Sequence, residues 1–188
     1  MSKLTMSKAR EILKKHTTEE HLFTHAAAVS AAMGAMAEHF GMNDEKEYWA
    51  AIGYLHDVDY ERYPNEHCHH VRELLAAEDV DEEDIRAIIS HGYGVTTDEC
   101  EPESNLEKSL FAVDELTGIV QAYALMRPEK LEGMAVKSLK KKFKDKRFAA
   151  GCNREIIQHG CERLGMELGD VMECCIKDMQ EKHEELGL

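Results

Sequence analysis

Apolar positions recur along this chain at three- and four-residue steps, with no stretch of convincing two-residue alternation. The clearest run is His21 to Phe40. There Leu22, His25, Val29, Met33, Met36 and Phe40 share one face, and many alanines allow neighbouring helices to approach closely. Thr18-Glu19-Glu20 reads as its start, with acid in the first turn, and Gly41 as its end. Asn43-Asp44 is expected to cap a second helix running to about Asp57. Pro64 stops whatever precedes it. Further helices are predicted over Glu66–Glu78, from Asp81 to His91, and over Asn105–Met126 up to Arg127-Pro128. Gly92-Tyr93-Gly94 breaks the second of these, and Val95–Ser104 reads as a loop. Two more, Asn153–Leu164 and Leu168–His183, complete a chain in which no internal repeat stands out. The pattern predicts an all-α fold: a compact helical bundle.

Composition supports that reading, being rich in Ala, Glu, Met, Leu and Lys and poor in Pro. At 188 residues the chain fits one domain over 1–188. A formal charge of −14 disfavours general nucleic-acid binding, which needs clustered Lys and Arg. The exception is Lys137 to Arg147, which holds seven basic residues in an otherwise acidic chain. Its plainest reading is a solvated helix face; folded over a site, lysines there could bind phosphate as point charges. Lys137, Lys141 and Arg154 are the candidates for substrate binding. The opening Met1–Lys8 is polar and lacks a signal-like apolar core. No apolar run reaches the ~18 residues of a membrane span. The six cysteines form no Cys-x-x-Cys and read as thiols in a reducing cytoplasm.

The chemistry concentrates at His56-Asp57, which closes the apolar segment Ala-Ile-Gly-Tyr-Leu. His25 lies on a helix face upstream. His91 sits at a helix end, and Asp114 lies between Val113 and Leu116. A carboxylate on an apolar face is costly unless paired or metal-bound. Imidazole nitrogen with carboxylate oxygen suits Fe, Mn, Zn, Co or Ni, and such an ion generates a hydroxide nucleophile near neutral pH. The set His25, His56, Asp57, His91 and Asp114 therefore predicts a divalent metal site. Asp59 and Glu61 are close enough in sequence to orient a ligand histidine.

In this order, Thr-His25-Ala-Ala-Ala-Val, Tyr-Leu-His56-Asp57-Val-Asp, Ile-Ile-Ser-His91 and Ala-Val-Asp114-Glu-Leu-Thr-Gly resemble the HD-domain superfamily of metal-dependent phosphohydrolases. The resemblance covers about residues 20–127, leaving 128–188 as a C-terminal helical extension. It implies a core metal site of His25, His56, Asp57 and Asp114. Two-metal members carry further histidines; His91 matches one, and His67 is preferred over His69 and His70 for the other. Asp57, bridging the ions, and His91 are then the candidate catalytic residues. The implied activity is hydrolysis of a small phosphorylated molecule, a nucleotide by preference, with one or two divalent ions. Two alternatives accompany it: a di-iron oxygenase built from the same ligands, and a non-catalytic module stabilised by its metal. The Gly-Tyr-Pro signature of the cyclic-dinucleotide phosphodiesterase branch is missing. A second copy of the chain stays open as a partner; a membrane does not.

Overall fold

A computed structural model describes residues 3–188; the first two residues of the polar opening, Met1 and Ser2, lie outside the described residues. Helices account for all the regular structure there, and the one β-bridge is an isolated pair between Tyr93 and Thr97. The core-forming helices are α1 (Met6–His16), α2 (Glu20–His39), α3 (Lys46–Leu55), α4 (Val71–Ala76), α5 (Glu82–Ile89) and α6 (Asn105–Met126). The C-terminal part adds α7 (Val136–Lys144), α8 (Arg154–Leu164), α9 (Leu168–Glu181) and the single turn α10 (His183–Leu186). None of the described helices is long and apolar enough to cross a membrane.

The alanine-rich helix α2 is the axis of the bundle. It is buried without interruption from Ala26 to Ala37, as a helix must be when neighbours cover every side. Helices α3, α6 and α9 pack around it. Small residues let them come close: a Cβ on Gly53 of α3 would stand 2.8 Å from Met33 Cγ and 3.0 Å from the Val29 carbonyl oxygen. Helix α6 starts with a reciprocal cap, in which Ser104 Oγ accepts from Glu107 N–H and the Glu107 carboxylate accepts from Ser104 N–H.

Several boundaries differ from the sequence expectation. The stretch before Thr18 forms α1, which buries Ala9, Ile12 and Leu13. Asn43–Asp44 makes a 3₁₀ turn with Glu45 and no side-chain cap; α3 begins after it. The helix expected over 66–78 is only Val71–Ala76. The chain from Asp57 to His70 instead winds through turns, because Asp59 accepts the His70 N–H at 3.2 Å and Cys68 takes a left-handed φ of 72°. The helix to His91 stops at Ile89 and tightens into a 3₁₀ turn over Ser90–Gly92. The basic run forms α7, which buries Leu139 and Phe143 and leaves its lysines outward.

Candidate metal centre

The site is assembled from five places in the chain. His25 comes from the second turn of α2. His56 and Asp57 leave the end of α3, His67 comes from the turns that follow, and His91 from the 3₁₀ turn after α5. Asp114 projects from the middle of α6. Their polar atoms converge. His25 Nε2 stands 3.0 Å from Asp114 Oδ1, 3.2 Å from His56 Nε2 and 3.5 Å from Asp57 Oδ2. His56 Nε2 lies 3.2 Å from Asp114 Oδ1 and 3.3 Å from Asp57 Oδ1. The same Oδ1 of Asp57 is also 3.2 Å from His67 Nε2 and 3.6 Å from His91 Nε2. The two histidine nitrogens are 3.0 Å apart. Asp57 thus stands between two groups, His25–His56–Asp114 and His67–His91.

The outward ring nitrogens fix the tautomers. A carbonyl or carboxylate oxygen can only accept, so each Nδ1 facing one must carry the proton. His56 Nδ1–H donates to the Gly53 carbonyl at 2.7 Å, His91 Nδ1–H to the Ile88 carbonyl, and His67 Nδ1–H to Asp59 Oδ1 at 2.8 Å. In the neutral rings every Nε2 then turns a lone pair inward, onto other lone pairs and two carboxylates. Only a proton or a metal cation relieves such an arrangement, and backbone or carboxylate anchoring of the remote nitrogen is what metal-bound histidines show. The protein chain by itself favours protons. Burial opposes a charge on His56, yet Asp57 and Asp114 outweigh it and push its pKa up to about 9. His67 and His91 are likewise raised against the pull of burial, His67 chiefly by Asp57 and Asp59. Asp57 and Asp114 are held well below the usual carboxylate range, burial being overcome mainly by His56. The donor set of imidazole and carboxylate fits a divalent transition metal.

The cluster is recessed and open on one side. His56 is 0% exposed, whereas the side chains of His25, Asp57 and Asp114 keep 24%, 18% and 21%. That leaves an approach to the carboxylates from solvent and none to His56.

Of the other residues singled out by sequence, His69 and His70 point elsewhere. His69 Nε2 meets the Thr96 carbonyl, and His70 stacks on Tyr63 with ring centroids 3.7 Å apart. Asp59, fully buried, orients His67. Glu61 does not orient a ligand: its carboxylate accepts Thr18 N–H, Thr18 Oγ1–H and Glu19 N–H, closing the N-terminus of α2. The expectation for Arg154 needs correction. Its guanidinium donates to the carbonyls of Phe143, Asp145, Phe148, Ala149 and Cys152, so it organises the loop between α7 and α8 and has no donor left for a phosphate. Lys137 and Lys141 lie exposed in a shallow groove with Val136, Lys140 and Lys144, and none of their described contacts is with the metal cluster.

Two neighbours of the site were not singled out by sequence. Glu115 follows Asp114 of the cluster, and its Oε2 accepts the Asn153 N–H at 3.1 Å. Burial and the charge of Asp114 raise its pKa. This bond brings the turn at 149–153 to the rim of the site. Cys68, which reads in the sequence as an ordinary thiol, has its Sγ 3.8 Å from His91 Nε2. Burial would raise its pKa, but His91 and His67 bring it down to about 6. Adjacency to His67 did not signal this, since it depends on the left-handed backbone at Cys68.

The HD domain family model matches residues 22–144, well over half of the chain. No curated protein and no solved structure matches it. The matched span contains all six convergent His and Asp residues, and the family is in general one of divalent-metal-dependent phosphohydrolases. On its sequence, its helices and its His–Asp cluster together, the chain belongs to the HD-domain family.

Proposed function

We propose that this chain is a metal-dependent phosphohydrolase that cleaves a terminal phosphoester or phosphoanhydride of a small molecule, a nucleotide in the first instance. The observation that carries the reading is the convergence of imidazole lone pairs on Asp57 and Asp114 with every remote nitrogen of His56, His67 and His91 already anchored. His25, His56, Asp57 and Asp114 would hold one divalent ion, and His67, His91 and the shared Asp57 a second. Such ions supply Lewis acidity and a water of lowered pKa. The protein supplies the rest. Asp57 keeps the two groups in register, and Asp59 fixes the ring of His67. The partial exposure of His25, Asp57 and Asp114 leaves the carboxylates open to a phosphoryl group arriving from solvent. A net charge of −14 disfavours a nucleic-acid substrate. Ions held by these residues would supply positive charge beside a bound phosphoryl group, where stabilisation of developing charge is most effective.

The test is phosphate release from a panel of nucleoside mono-, di- and triphosphates and sugar phosphates. It uses protein reconstituted separately with manganese, cobalt, nickel, iron and zinc. Release with at least one metal, abolished in the double variant His56→Ala/Asp57→Ala, is expected. Metal binding with oxygen uptake and no phosphate release from any substrate would overturn the hydrolase reading.

A further inference from the structure

We propose that Cys68 is a thiolate ligand of the second metal position, completing it with His67, His91 and Asp57; this rests on the two-ion reading above. Four observations carry it. Adjacent residues in ordinary backbone point their side chains apart, yet His67 and Cys68 both face His91. The left-handed φ of 72° at Cys68 makes this possible. That conformation is uncommon for a residue with a Cβ. Second, the thiol is 1% exposed and lies among nitrogen donors, and His67, Cys68 and His91 form one compact ligand group. Third, His67 and His91 each anchor Nδ1 elsewhere. Their Nε2 lone pairs therefore face each other at 3.0 Å and require a cation or proton between them. Fourth, the opposing backbone makes room for sulfur: a Cβ on Gly92, next to His91, would stand 2.6 Å from Cys68 Sγ.

The spacings suit one ion. Around one tetrahedral ion, bonds of about 2.1 Å to nitrogen and about 2.3 Å to sulfur give nitrogen–sulfur edges of about 3.6 Å and nitrogen–nitrogen edges of about 3.4 Å, each within about 0.4 Å of the spacings here. The chain shows 3.8 Å and 3.0 Å. A sulfur donor makes the two positions unlike. The first, with nitrogen and oxygen only, accepts hard ions such as Mn²⁺; the second favours Zn²⁺, Fe²⁺ or Co²⁺. On binding, the thiol proton leaves to solvent and the sulfur lone pair forms the metal bond, with no change of oxidation state.

The full chain is reconstituted with Co²⁺, with ions per chain and the near-ultraviolet thiolate-to-cobalt charge-transfer band read together. Two ions with the band are expected. Cys68→Ser should lose the band and weaken one ion at least tenfold while keeping the other, and His25→Ala should keep the band. X-ray absorption on unaltered Zn²⁺-loaded protein should find one sulfur for every two ions, a readout that does not depend on any variant folding. Two bound ions with neither band nor sulfur scattering would overturn the role of Cys68 and leave the metal reading standing. Absence of any bound ion under all loading conditions would overturn the metal reading and this one with it.

Discussion

At the scale of single residues, the His–Asp cluster depends on side chains that lie outside it. Asp59 is the clearest: fully buried, it accepts from the His67 ring and from the His70 backbone. Partners of this kind are worth about 10–100-fold in metal affinity. Asp59→Asn should lower affinity for the second ion by about tenfold and Asp59→Ala by about a hundredfold, with the first ion unaffected; equal affinities in competitive metal titrations would refute it. The residues of the His–Asp cluster were legible in the sequence, because a carboxylate or imidazole on an apolar helix face is costly without a partner. Asp114 between Val113 and Leu116 announces itself in that way. Glu61 and Cys68 were not legible. Whether Glu61 serves a histidine or the start of α2 depends on which backbone N–H groups the fold brings to it. The direction of the Cys68 thiol depends on a left-handed backbone that no local pattern near Pro64 reveals.

Among the elements, long periodic helices matched their sequence pattern and the short, site-bearing segments did not. Helix α6 runs over the predicted Asn105–Met126. The region from Asp57 to His70 has helical composition but is drawn into turns by tertiary bonds to Asp59, which outweigh propensity of a few tenths of a kcal/mol per residue. Close approach of α2 and α3 is what places His56 beside His25, so Gly53→Ala should be felt twice. Forcing a methyl against Met33 and the Val29 carbonyl should cost about 1–3 kcal/mol in denaturant unfolding. The same displacement, three residues before His56, should weaken binding of the first ion. Stability and metal affinity equal to those of the parent chain would show that α3 can shift freely. The basic segment has a different lesson. Arg154 gathers five carbonyls, so Arg154→Lys should fail to replace it, a point charge being no substitute for a planar fork. Hydrogen exchange of amides in 145–153 should accelerate in Arg154→Lys as well as in Arg154→Ala. Unchanged protection in the lysine variant would restore Arg154 as a candidate phosphate ligand.

For the molecule as a whole, the cluster couples metal, protons and stability. In the chain without metal, Asp57 and Asp114 stabilise protonated His56, whose pKa is pushed up to about 9 from an ordinary 6.5. A group raised in this way contributes stability that is fully present below the unfolded value of 6.5 and is lost as pH rises through about 9. The contribution is at most roughly 3 kcal/mol, since each tenfold gain in proton affinity corresponds to about 1.4 kcal/mol. A metal ion needs the neutral ring, so it competes with that same proton, and its apparent affinity rises over the same interval. Binding then adds about 2.7 kcal/mol when free metal stands a hundredfold above its dissociation constant. Two melting curves should therefore diverge. Stripped protein is expected to lose thermal stability between pH 6.5 and 9. Protein in excess Zn²⁺, Co²⁺ or Mn²⁺ should hold its Tm, so the gap between the two widens with pH and grows with metal concentration. In His56→Ala the stripped curve should fall less steeply over this range, because one of the three raised histidines is gone while His67 and His91 remain. A gap that narrows toward pH 9 would mean that metal does not compete with the His56 proton, and the cluster would then be an ion-pair network of the bundle core rather than a metal centre.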